Sequence, residues 1–512
     1  MAGEPETVAR NRRAAEAGDP VAQFNLGNMY RLGYQVPRDI ALAVKWLNQA
    51  AARGNADAVQ VLQRLEADGV DITPPAEPAA RPAAGLPPAE PDSDPLYAEP
   101  ADDADQLRSA AEAGDPTAQV LLGNAHRDSV PPRLDEAVRW YRLAADQGHR
   151  LGQFALGLMH DRGWGVDQDC AAARDWYRLS AEQGCVEAQF NLGNMLCQGR
   201  GSSADPAAAA EWFGMAAAQK DAAALFALAA LFETGNGVER DEARAAELYR
   251  QAADQSDPEA QFNLANMLRQ GRGVEADPVE AASLYRRAAE QNLPAAQLNF
   301  GLMLASGRGV AKDEAAAARW FRRAAEQGDR TAAFALALAL LGGRGVAVDG
   351  PEAGRWLRLA ADKGDHRAQY RLAVMHERGE GVPRDLAAAA ALYRQAAEGG
   401  DARAQFDLAQ MYEAGSGVEQ DRSEAARWLR AAAEQGNGLA QYNLAAKYAA
   451  GSGVEKDQVE AHLWLTLAVR SDQPGVVEPS RRALERLAEH LGPAGVAEAS
   501  RRLRERNLEP AP

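Results

Sequence analysis

Three sets of residues in this sequence have types and spacings that chemistry can use. The most frequent is a Gly-x-Gly pair, whose first glycine falls at Gly163, Gly199, Gly235, Gly271, Gly307, Gly343, Gly379, Gly415 and Gly451. Glycine-rich turns cradle phosphates when they read GxGxxG or GxxxxGK[ST] and join a strand to a helix. None of these pairs continues in either way, so they read as loops. The second set is HERGE at 376–380, the first half of the HExxH zinc motif. Glu380 stands where the second histidine would be, so the two-ligand helix face that zinc needs is missing. The third set is the histidines and cysteines. His126, His149, His160, His366, His376, His462 and His490 are scattered, and Cys170, Cys185 and Cys197 are odd in number. No carboxylate pair, Cys–His pair or Ser–His–Asp set can be assembled from spacing. The expectation is no catalytic residue, no metal ligand set and no cofactor.

The glycines keep a fixed period of 36 with other columns. Gln153, Gln189, Leu225, Gln261, Gln297, Ala333, Gln369, Gln405 and Gln441 form one; Asp169, Asp205, Asp241, Asp277, Asp313, Asp349, Asp385, Asp421 and Asp457 form another. A period of this length without insertions marks a stacked array in which each unit buries its apolar face on its neighbours.

One unit predicts two helices. The first covers about Pro258 to Gln270, with Phe262, Leu264, Ala265, Met267 and Leu268 at helical intervals. Gly271 ends it, since glycine enters the left-handed region without a Cβ penalty. Gly273 continues the loop, and Val274 is expected to turn back into the core. Asp277 caps the second helix with its carboxylate, and Pro278 at the first helical position gives up no hydrogen bond. Ala281, Ala282, Leu284, Tyr285, Ala288 and Ala289 then face inward. Alanine pairs such as Ala288–Ala289 let helices approach closely. Beside them a large residue fills the gap: Trp46, Trp140, Trp176, Trp212, Trp320, Trp356, Trp428 or Trp464. The tryptophans are therefore expected in the core, with Trp164 alone outside the column.

The framework AxxxLGxMYxxGxGVxxDxxxAxxWYxxAAxxG, carried by residues 22–54 and 152–436, resembles the Sel1-like repeat family, relatives of the tetratricopeptide repeat. Gly152 departs from the opening alanine of its unit. The resemblance implies an all-α, right-handed α-solenoid of tandem helix-turn-helix repeats that acts as an adaptor for protein complexes, with no defining catalytic residue. Secreted members of the family carry regularly spaced cysteine pairs. Three cysteines depart from that, so the cell-wall or β-lactam activity proposed for that subgroup does not carry over.

Composition sets bounds. The formal net charge of −17 argues against general nucleic-acid binding, which needs a basic face, and against an anionic membrane surface. No apolar run approaches a membrane span, and MAGEPETVARNRR has no signal-like apolar segment. A cytoplasmic location is the expectation. Residues 5–69 read as a short module of fewer than two complete units. That is below the three or so that arrays need, so the module is expected to dock on the long array or on a second chain. Residues 70–103, rich in proline and acids, read as a disordered linker. RSAAEAGDP at 108–116 then repeats the start signal RRAAEAGDP at 12–20, and the main array runs over 104–471. Residues 472–508 hold two capping helices, Pro479 to Glu489 and Pro493 to Glu505.

What remains for function is surface. Two and five residues after the glutamine column, polar side chains share one stripe of the first helices: Asn191, Asn194, Asn263, Asn266, Asn299, Arg371, Asp407, Gln410 and Asn443. By resemblance to tetratricopeptide arrays these helices line the concave face. Amides there can donate and accept along an extended peptide, or they can bond neighbouring helices. The leading expectation is a non-catalytic scaffold that binds one or more partner proteins. The alternative is a cell-wall- or enzyme-associated module with a ligand site in the groove. A third reading makes the linker an intramolecular ligand of that groove.

Overall fold

The computed structural model describes Arg12, Ala15, Gln23, Leu26, Tyr30, residues 40–52 and residues 104–506. The linker expected at 70–103, and the docking of most of the 5–69 module, lie outside the described residues. Every regular element among the described residues is a helix. The chain divides into two compact units, residues 1–240 and 241–512. The division falls inside the regular array.

Each unit is an α-solenoid of helical hairpins. After the helix Ala104–Glu112, the first unit stacks Pro116–Arg127 with Leu134–Asp146, Arg150–Arg162 with Cys170–Glu182, and Val186–Gln198 with Pro206–Ala218, and closes on Ala222–Thr234. The second opens on Glu242–Asp254. It continues through five hairpins, from Pro258–Gln270/Pro278–Glu290 to Ala402–Ala414/Arg422–Glu434, and then Gly438–Ala450 with Gln458–Ala468.

The ends are local chemistry. Asp277 accepts from the backbone N–H groups of Val279 and Glu280 at 2.8 and 2.9 Å, and all nine aspartates of its column cap helices in the same way. Gly271 is left-handed (φ 70°) and donates to the Met267 carbonyl. The inward residues of the helix Pro278–Glu290 are buried. Phe262 and Val274 are only half-buried, at the rim of the core.

The tryptophan column differs from expectation. Trp428 and Trp464 are buried, but Trp46, Trp140, Trp176, Trp212, Trp320 and Trp356 are half-exposed. Most rings therefore lie along the edge of the helix contact rather than inside it. The next residue, Tyr141, Tyr177, Tyr249, Tyr285 or Tyr393, fills the interior instead.

The glutamine column is a relay. Gln297 Nε2 donates to the Ala289 carbonyl at 3.2 Å, and its Oε1 accepts from Gln327 Nε2 at 2.9 Å. The same two bonds recur at Gln189, Gln261 and Gln405. Where the column loses glutamine the relay is rebuilt. Lys363, one repeat after Gln327, donates to the Gly328 carbonyl at 2.7 Å because Ala333 offers no acceptor. At Gly399 the missing side chain makes room for His366, which bonds Gln369 at 3.1 Å. Gln297→Leu is expected to cost only about 1 kcal/mol, because the Ala289 carbonyl keeps the Asn292 N–H at 3.0 Å. Urea denaturation checks this; a loss several times larger would show the relay to be cooperative.

The cap is the helix Pro474–Glu505, broken at Gly492 (φ 66°, ψ 178°). Its first half begins at Pro474 rather than at the expected Pro479. Leu503 enters the core, and Arg502 bonds Asp457 at 2.8 Å and the buried Glu460 at 3.0 Å.

Candidate functional site: a polar stripe over buried tyrosines

Period 36 puts one tyrosine hydroxyl under the polar stripe wherever the column keeps tyrosine. Tyr285 is buried and donates to Asn266 Oδ1 at 2.6 Å. Arg269 Nε donates to the same hydroxyl at 3.3 Å, and the Asn299 amide of the next repeat lies beside it. Burial raises the Tyr285 pKa. Tyr141 likewise donates to Asn124 at 2.7 Å. Tyr177 has Leu158 where Asn124 and Asn266 stand; its hydroxyl is buried outside hydrogen-bond geometry, with the Asn191 amide beside it.

Eight of the nine stripe residues fall into three conditions. Asn266, Asn299 and Asn191 sit at tyrosine hydroxyls and are half-buried. Asn194, Asn263 and Asn443 are half-buried, and Asn194 belongs to a unit whose column reads Phe213. Arg371 and Gln410 are exposed. Asp407 is the exception in chemistry. Burial, with Glu377 and Asp401 nearby, pushes its carboxyl up to about 6, against the Tyr370 hydroxyl and Arg403 beside it.

Around Asp407 the stripe turns acidic. Tyr393 donates to Glu377 Oε2 at 2.7 Å. Arg403 stacks 4.4 Å over the Tyr370 ring while two of its nitrogens hold Asp401 at 3.1 and 2.6 Å. One repeat on, Lys447 pairs with Glu413. Reasoning from the sequence missed the tyrosines beneath the stripe and the Glu377 and Arg269 side chains beside them. The tyrosine column was visible at period 36, but as core. Among the described residues, no group of three His, Cys, Asp or Glu side chains is placed to hold a metal ion. No helix among them is long and apolar enough to cross a membrane.

Stacked helical hairpins with a polar stripe, interrupted at Ala155, Ala227, Ala230 and Ala335, define a repeat scaffold rather than a single-pocket protein. The chain belongs to the Sel1 repeat family, whose pattern matches residues 20–55, 116–149, 151–185, 186–221, 222–257, 258–293, 294–329, 331–365, 366–401, 402–437 and 438–472. Repeats of this family commonly mediate protein–protein interaction, and the family is generally non-catalytic. The structure is similar to that of c5321, a protective antigen of uropathogenic Escherichia coli with an SLR fold. The two share 29% identity over 99% of this chain and 98% of that one, with a TM-score of 0.66. A Sel1 repeat protein from Oxalobacter formigenes is 32% identical over 66% of this chain and 98% of its own, with a TM-score of 0.49. No curated protein matches.

Proposed function

We propose that this chain is a non-catalytic scaffold that binds a segment of a partner protein along the first-helix stripe, on the concave side of the solenoid. The observation that carries this reading is the pinning of amides by buried hydroxyls, as where Tyr285 holds the oxygen of the half-buried Asn266 and Tyr141 that of Asn124. An amide whose one oxygen is held from below still offers its NH2 group to a peptide carbonyl. Because its rotamer is already fixed, less entropy is lost on binding. The stripe recurs over several repeats, which suits an extended segment rather than a small molecule.

The test is capture from a lysate of the source organism with the full chain. The comparison variant carries Asn191→Ala, Asn194→Ala, Asn263→Ala, and Asn266→Ala together with Tyr285→Phe, so that no buried hydroxyl is left without its acceptor. A second variant changes the exposed Arg286 and Arg319 of the second helices to alanine. A partner lost only from the stripe variant is the expected result. Equal capture by wild type and stripe variant would move binding to another surface.

A further inference from the structure

We propose that the second half of the cap, residues 493–506, is a strap held on the last hairpin mainly by charge. It swings out about Gly492 while the first half stays docked, and Glu460 then passes from the strap's arginines to the Trp464 indole.

The two halves of the cap are anchored differently. The first half buries Val476 and Ser480, and packs Ala483, Leu484 and Leu487 against the core of the last repeats. From Pro493 onward only Ala499 and Leu503 are buried among the described residues, and an alanine brings little apolar area. Ion pairs supply the rest. Arg502 Nη1 donates to Asp457 Oδ2 at 2.8 Å and to Glu460 Oε1 at 3.0 Å. Arg506 donates to Glu460 through both terminal nitrogens at 2.8 Å. The joint between the halves is Gly492, at φ 66° and ψ 178°, a conformation essentially confined to glycine. A cleft of about 640 Å³, lined by Ala488, Glu489, Gly492, Pro493, Val496 and Ala497, lies open at that joint. Leu503 belongs to the same core cluster as Leu463 and Trp464, so its departure uncovers the apolar end of the array.

Sibling repeats show what release offers. Trp356 and Trp464 hold the same place in their helices, and each has a glutamate four residues earlier. Glu352 Oε1 accepts from the Trp356 indole at 3.2 Å, although Arg322 also bonds it. Glu460 is drawn instead to Arg502 and Arg506, and the buried Trp464 Nε1 has no hydrogen-bond partner among the described residues. The direction of the arginine's pull decides the outcome: Glu424, held by Arg427 on its own helix, likewise leaves the Trp428 indole unpaired. A buried donor without a partner is costly, so docking the strap costs the last hairpin one hydrogen bond. Release restores that bond and gives Glu460 a partner within its own helix. The carboxylate thus has two alternative partners, as a two-state element requires.

The experiment uses the full chain with isotopically labelled tryptophan, the Trp464 indole signal being assigned with Trp464→Phe. Hydrogen exchange is followed in peptides from 458–468, 474–490 and 494–506. In the wild type the strap is expected to exchange about tenfold or more faster than the first half of the cap. Arg502→Gln with Arg506→Gln should speed strap exchange about tenfold further. The same variant should move the Trp464 N–H signal downfield, as Glu460 accepts it, and leave 458–468 and 474–490 protected. Adding Glu460→Ala should remove the downfield shift and keep the strap released. Raising salt on the wild type from about 0.05 to about 1 M should move strap exchange and the indole signal in the same directions, without any substitution. Equal exchange in the two halves, a Trp464 signal unmoved in the double variant, or loss of protection over 458–468 would each overturn the proposal.

Discussion

Replacing Gly309 by alanine should destabilise the second unit by about 3 kcal/mol or more, combining a left-handed penalty of about 1–2 kcal/mol with a backbone collision. Gly309 is the second glycine of its loop, at φ +72°, and a Cβ there would run into the Pro278 carbonyl at the start of the preceding second helix. The obstacle is backbone at a helix N-terminus, so neither partner can yield without moving a repeat. Gly273, Gly345, Gly417 and Gly453 make the same close approach. The first glycine provides the control. Gly307 has the same φ of +72°, but its Cβ would meet only the Lys312 Cβ at 3.2 Å. Gly307→Ala should therefore cost about 1–2 kcal/mol, the conformational part alone. In a solenoid an interface loss uncouples the repeats on either side, so Gly309→Ala should also make unfolding less cooperative. Urea transitions of the two variants provide the check, and equal losses would show that the close approach contributes nothing.

Asp407→Asn should act in the opposite direction, raising stability at pH 7 by about 2 kcal/mol, given 1.36 kcal/mol per pKa unit and some discount for solvent. The folded-state pKa is raised from 3.8 to about 6, first by burial and then by Glu377 and Asp401, with the Tyr370 hydroxyl and Arg403 opposing. The folded chain therefore binds this proton more tightly than the unfolded chain. Its contribution to stability is fully present below the unfolded pKa and is lost as pH rises through about 6. Wild type and Asp407→Asn should accordingly match near pH 4 and diverge up to pH 7, with the variant melting higher. The readout is the difference in Tm across that range, supported by hydrogen exchange of peptides from 402–414. A variant that melts lower than wild type at pH 7 would mean that Arg403 more than offsets the cost of burying the carboxylate. The substitution gives the position the amide that Asn191, Asn263, Asn299 and Asn443 supply in sibling repeats.

How much was legible in the sequence depends on how far apart the interacting groups lie. Helix ends were readable because their causes are local. Asp277 caps through N–H groups two and three residues on, and Gly271 closes on a carbonyl four residues back. Period 36 then copied one hairpin's reading along the array, which established repeat, fold class and family. The tryptophans show the limit of the same method. A conserved spacing marks a structural column without saying whether the column is enclosed or lies at the rim.

The sequence by itself determined where the helices of the regular repeats begin and end and that they stack, because capping and apolar spacing act within one or two turns; the cap helix, which starts at Pro474 rather than Pro479, lies outside that rule. Only the tertiary structure decided which polar residues hold the scaffold and which remain open. Gln297 meets Gln327 across 30 residues, Tyr285 meets Asn266 across 19, and Tyr393 meets Glu377 across 16. Each of those bonds joins two helices, and each carboxyl's proton affinity depends on how much water the stacking removes. Asn299 and Asp407 occupy one column of the sequence. Stacking sets the first at a tyrosine flanked by an arginine and the second near another carboxylate, so one column carries two different chemistries.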